Sequence, residues 1–81
     1  MSHTVIWLPE AMAAYRRLRS SDPDGAKMVA SVVASLAADP RPAHSNALGA
    51  TNFRRIRLDR YRILYEVGDT AVHVMHVGRV T

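Results

Sequence analysis

The sequence has no cysteine, which excludes a disulfide scaffold, thiolate metal ligation and a cysteine nucleophile. It also has no long apolar run. The longest apolar-rich stretch, residues 28–38, is interrupted by Ser31 and Ser35 and falls well short of the ~20 residues a membrane-spanning helix needs. No basic region followed by an apolar run opens the chain, so no secretory signal is expected; the chain is expected to be cytoplasmic, with no membrane partner. No set of histidine, aspartate and glutamate has metal-ligand spacing, and no metal or cofactor is expected. With 81 residues the chain is read as one domain, 1–81, too short for a two-domain enzyme or a doubly wound cofactor fold. A composition of 48% hydrophobic and 22% charged residues is that of a folded chain and not a disordered one.

What is present is arginine. Ten of the 11 basic residues are Arg, against seven acidic residues, for a net charge of +4. Residues 54–62 hold Arg54, Arg55, Arg57, Arg60 and Arg62 against Asp59 alone, so these nine residues carry the whole net charge. Arginine presents a planar fork suited to bidentate phosphate contact. A focused cluster on an otherwise neutral body points to a polyanion; the plainer alternative is a solvated basic face.

The apolar pattern predicts the element order β-α-α-β-β-β. Thr4 to Leu8 is β-branched and aromatic, hence a strand, and Pro9 with Glu10 opens a helix predicted to stop near Arg19. Asp22 is the expected N-cap and Pro23 the first residue of a second helix, with Val29, Val32, Val33 and Leu36 as its apolar stripe and Asp39-Pro40 as its end. Residues 41–52 read as a loop. Phe53–Leu58, Tyr61–Val67 and Ala71–Val77 follow as strands, and their two- to three-residue connections predict an antiparallel meander. The expected fold is α+β: a four-stranded, mainly antiparallel sheet with the first strand beside the last and an αα-hairpin packed on one face.

The other face stays open, and alternation along the strands says what occupies it. Ile56 and Leu58, then Tyr61, Ile63, Tyr65 and Val67, form the apolar set expected under the helices. Arg55, Arg57 and Arg62 then share the open face. In the last strand Val72, Val74 and His76 have one parity and His73, Met75 and Val77 the other; a central strand can be apolar on both faces, so this parity stays ambiguous. His73 is expected to be a buried core histidine, His44 a surface residue and His3 a bystander. Phe53 is the one aromatic candidate on the open face, which argues against a general RNA-binding module built on stacked aromatics.

The stretches Phe53-Arg54-Arg55-Ile56-Arg57-Leu58, Tyr61-Arg62-Ile63-Leu64-Tyr65-Glu66-Val67 and Val74-Met75-His76-Val77-Gly78-Arg79, preceded by Leu48-Gly49, resemble the RelE/ParE superfamily of type II toxin–antitoxin toxins, and its RelE-like mRNA endoribonucleases in particular. The resemblance implies metal-independent cutting of translated mRNA in the ribosomal A site, with the 2′-hydroxyl attacking the adjacent phosphate. It implies that Arg55 and Arg57 contact RNA phosphates and stabilise developing charge, and that Arg62 binds the scissile phosphate, with Arg54, Arg60 and Arg79 as further RNA contacts. It places His76 on the open face, where its imidazole is a candidate for proton transfer. The partners it implies are a cognate antitoxin, mRNA and the ribosome, and a toxin–antitoxin hetero-oligomer that binds operator DNA through the antitoxin. Gly78 is followed by Arg79, Val80 and Thr81, with no counterpart of the tyrosine that family members carry there. Slower cutting than in relatives with that tyrosine is therefore expected. The alternatives are a ParE-like, non-enzymatic inhibitor of DNA gyrase and a catalytically weakened RelE homologue.

Overall fold

A computed structural model describes residues 2–79. The order of elements is β1 (Thr4–Trp7), α1 (Pro9–Ser21), α2 (Pro23–Ser35), β2 (Ser45–Ala47), β3 (Phe53–Leu58), β4 (Tyr61–Val67) and β5 (Ala71–Arg79). The segment after Arg79, where the resemblance looks for a tyrosine, lies outside the described residues. No described helix is long and apolar enough to cross a membrane.

Local chemistry sets the element boundaries. Pro9 and Pro23 each occupy the first turn of a helix, where a missing N–H costs nothing. Asp22 serves both helices: its N–H donates to the Leu18 carbonyl at 2.7 Å to close α1, and its carboxylate accepts from the Gly25 N–H at 3.2 Å to open α2. One residue therefore makes the hairpin turn, and α1 runs two residues beyond its expected end. Gly25 weakens the first turn of α2, and its position explains why it is there. An added Cβ would collide with the Asp22 carboxylate and the Tyr61 ring, so the hairpin tip closes onto β4 only with glycine. The β3–β4 connection is the two residues Asp59-Arg60, with Asp59 at φ 56°, a left-handed conformation that aspartate tolerates better than most residues.

The strands form one sheet in the order β1-β5-β4-β3-β2, parallel between β1 and β5 and antiparallel elsewhere. The first strand lies beside the last, as expected, but the sheet has five strands and not four. Ser45-Asn46-Ala47, inside the predicted loop, pairs with Ile56, Arg55 and Arg54. Its composition carries no β signal; it is a strand because the Ser45 hydroxyl and carbonyl are held by Arg54 at 2.8 and 3.3 Å. Tyr65 secures the preceding loop by donating its hydroxyl to the Pro40 carbonyl at 2.9 Å.

Both helices cover the same face. Ala11 of α1 and Val29 and Val33 of α2, with Leu36 just beyond, form one buried cluster with Ile56, Tyr61, Ile63, Tyr65, Val67, Val72, Val74 and Val77. This is the apolar set expected from alternation on β3 and β4.

Candidate nucleic-acid interface on the open face

The strand register arranges the open face in cross-strand rows. One row is Gly78–Arg62–Arg57, the next is His76–Leu64–Arg55–Asn46, and the third is Ile6–His73–Glu66–Phe53. Arg57 and Arg62 are exposed and face each other directly; Arg55, one row along, is half-buried. Like charges directly opposite each other on a sheet destabilise it. None of the three arginines forms an ion pair among the described residues, and the buried Nε of Arg55 has no hydrogen-bond partner there. A buried unpaired N–H costs about 1–3 kcal/mol. The three guanidinium groups thus form an uncompensated cationic surface, the arrangement that an anion with several oxygens would stabilise.

The last strand corrects the sequence-based expectation for its histidines. The register slips between Leu64 and Tyr65, so that Leu64 pairs with His76 while Tyr65 pairs with Val74, and Met75 is the extra residue. The bulge resets the alternation. Val72 and Val74 before it and Val77 after it are all buried, and His73 and His76 both fall on the open face. His73 is therefore not a core residue. The His76 imidazole folds along β5 over Gly78, where an added Cβ would meet Nε2 at 2.8 Å. It thus covers the glycine end of the Gly78–Arg62–Arg57 row. Its Nδ1 lies 3.7 Å from the Glu10 carboxylate at the start of α1. Glu10 sits on a different element from the strand pattern, and no sequence spacing pointed to it.

The other expected RNA contacts are placed elsewhere. Arg54 points to the helix-covered side, where its guanidinium is engaged by Ser45, so it does not join the open face; alternation next to Arg55 already required this. Arg60 is exposed in the β3–β4 turn, 4.0 Å from the Asp59 carboxylate. Arg79 faces the same side as the core: its guanidinium lies 5.8 Å from the Tyr61 ring centroid and 3.4 Å from the Tyr61 hydroxyl. That hydroxyl in turn donates to Asp22. The Tyr61 hydrogen bond, and after it the Gly25 N–H, hold the Asp22 carboxyl below its ordinary range, and the Tyr61 hydroxyl favours the charged form of Arg79. This cluster ties the hairpin tip to the end of the sheet. His3 is also structural, its Nε2 donating to the Gly68 carbonyl at 3.1 Å. A groove of about 420 Å³ runs between α1 and the free edge of β5, lined in part by Leu18, Tyr61 and His76. It shares His76 and Gly78 with the open-face rows and none of the three arginines.

No group of three or more histidine, aspartate or glutamate side chains among the described residues is placed to hold a metal ion.

Solved structures share this architecture. RelBE2 of Mycobacterium tuberculosis, solved as a toxin–antitoxin complex, is similar with a TM-score of 0.81 at 21% identity, covering 98% of this chain and 99% of that one. A mutant of the E. coli toxin RelE in the free state gives a TM-score of 0.79 at 23% identity, over 98% of this chain and 84% of that one. The YoeB dimer of Staphylococcus aureus gives 0.73 at 16% identity, over the full length of both chains. No curated protein sequence matches the chain. The family model described as ParE toxin of type II toxin-antitoxin system, parDE, matches residues 5–80. With nearly the whole chain matched and the fold shared, the protein belongs to the ParE toxin family of type II toxin–antitoxin systems.

Proposed function

We propose that this toxin is a metal-independent endoribonuclease that cuts translated mRNA in the ribosomal A site and is held inactive by a cognate antitoxin. The observation that carries this reading is the direct opposition of Arg57 and Arg62 on an uncovered sheet face, with Arg55 one row away and no carboxylate paired to any of them among the described residues. A toxin acting only through protein contacts has no use for such a set. In the reaction the 2′-hydroxyl attacks the neighbouring phosphorus, its proton passes to a base, and the 5′-oxygen leaves with a proton, giving a 2′,3′-cyclic phosphate and a 5′-hydroxyl. Arg62 and Arg57 grip the scissile phosphate and offset the charge that develops on its oxygens. Arg55 holds the neighbouring phosphate. The imidazole of His76, folded over Gly78 at the end of the same row, moves a proton, with Glu10 beside its Nδ1.

Induced expression followed by mapping of mRNA 5′ ends tests this. New 5′ ends within translated frames, absent for Arg62→Ala, are expected. The match to a ParE toxin model favours a second reading, the ParE-like inhibition of DNA gyrase that the resemblance also implies. Intact mRNA together with loss of gyrase supercoiling by the purified toxin would establish that reading in place of the first.

A further inference from the structure

The third row of the open face has a different chemistry from the arginines. Glu66 lies there between Phe53 on β3 and His73 on β5, with Ile6 beyond His73. Phe53, Glu66 and His73 are each half-buried, and Ile6 is 40% exposed. We propose that Glu66, flanked by Phe53 and His73, is a nucleobase-reading subsite that selects guanine in the RNA strand whose phosphates the Arg57–Arg62 row holds; this rests on the endonuclease reading above.

Three observations carry it. Among the described residues of the three rows Glu66 is the one carboxylate, and it is not there to neutralise the arginine pair. Glu66 lies four positions beyond Arg62 along β4, about 13 Å of backbone at the usual rise per residue, and that exceeds the screening length of about 8 Å at physiological ionic strength. It also makes no ion pair with its diagonal neighbour Arg55 and no side-chain hydrogen bond among the described residues. The flanking side chains fit a base. Adjacent strands lie about 4.8 Å apart, so Phe53 and His73 stand one on each side of Glu66 and offer flat surfaces on which a base can stack. The spacing along the strands suits single-stranded RNA too, since on β3 and β4 successive rows are two residues apart, about 7 Å.

The choice of base follows from the acceptor. An ionised carboxylate only accepts hydrogen bonds, through two oxygens. Guanine presents two adjacent donors on one edge, N1–H and the N2 amine, and can engage both oxygens at once. Adenine and cytosine each offer an amine beside a ring-nitrogen acceptor, which a carboxylate repels, and uracil offers one N–H between two carbonyls.

The test uses the purified toxin and fluorescent uridine pentanucleotides with 2′-O-methyl sugars, which lack the attacking hydroxyl and are bound without being cut. One guest base is placed at each position in turn. A guanosine guest is expected to tighten binding about tenfold at one position, the size of one or two charge-assisted hydrogen bonds after desolvation. Inosine, which lacks the N2 amine, should give an intermediate value. Glu66→Ala should remove the preference while binding of all-uridine RNA persists, and Glu66→Gln, which keeps the side-chain volume, should retain part of it. Wild-type binding with no preference for guanosine, or a preference unchanged in Glu66→Ala, overturns the inference and leaves the endonuclease reading standing. Failure to bind any of the oligonucleotides also overturns the inference, while the endonuclease reading is decided separately by the mRNA 5′ ends.

Discussion

The two faces of β4 are built from alternating residues of one heptapeptide, yet they follow opposite rules. Tyr61, Ile63, Tyr65 and Val67 are no more than 1% exposed and pack under the helices, while Arg62 between them is exposed and stands opposite another arginine. On the covered face every neighbour adds stability. On the open face the nearest neighbours repel, and the sheet tolerates this because the covered face holds the strands in register. The difference teaches that the arginine row is not maintained by the fold: it costs the free protein stability, and on the reading proposed above it serves a bound polyanion.

Substitutions on the two faces should separate these roles, and the largest expected effect is on activity. Arg62→Ala should abolish mRNA cutting, a loss on the order of 10²–10³-fold or more for removal of a charge-stabilising group, while leaving stability unchanged or higher by a few tenths of a kcal/mol as the repulsion from Arg57 is relieved. Primer extension on expressed mRNA and a urea titration read the two quantities; a drop in stability comparable to that of a core substitution would break the comparison. Ile63→Ala, one residue away on the covered face, should do the reverse and lower stability by about 2–5 kcal/mol, seen as a fall in the urea midpoint at unchanged slope. Next in size is His76→Ala, expected to slow cutting by roughly 10²-fold if the imidazole carries the proton. Gly78→Ala sharpens this case, because it leaves the imidazole in the chain but displaces it from the row. Equal losses for the two variants indicate that the position of the ring matters, and cleavage unchanged by His76→Ala removes it from the mechanism.

The smallest expected effect concerns pH. The Asp22 carboxyl is held below its ordinary value by the Tyr61 hydroxyl and the Gly25 N–H. A carboxyl depressed on folding stabilises the protein above its unfolded-state value, and that contribution fades as pH falls through the folded-state value. Tyr61→Phe should therefore lower stability at neutral pH and flatten its decline in acid, leaving wild type and variant closest at the lowest pH. Thermal unfolding from pH 7 down to pH 2 measures this, and parallel curves would contradict it.

Much of this arrangement is legible in the sequence because it rests on local rules. Pro9, Asp22 and Pro23 mark the helix boundaries through backbone chemistry alone, and alternation sorts Arg55, Arg57 and Arg62 from Ile56, Ile63 and Tyr65. What escapes is non-local. Ser45–Ala47 is a strand because Arg54, nine residues on, ties down Ser45. His73 misleads because its parity holds only up to Met75, where the bulge restarts the count, and nothing in the residues around Met75 announces an extra position. Arg54 belongs by charge to the same cluster as Arg62, and Arg79 joins it through the resemblance, but neither signal tells which side of a sheet each one leaves.

The position of β5 has a consequence for how the toxin comes into being. β5 pairs with β4 on one side and with β1 on the other, so Thr4 finds its partner at Ala71. A chain made from its N-terminus must keep its first strand waiting, with apolar Val5 and Trp7 unpaired, until Ala71–Arg79 have followed. The loop to be closed spans nearly the whole domain, and contacts of such long range form late and slowly. The same strand, pairing locally with β4, brings His76 and Gly78 alongside Arg62. No chain that stops short of the last strand therefore presents the whole row Gly78–Arg62–Arg57.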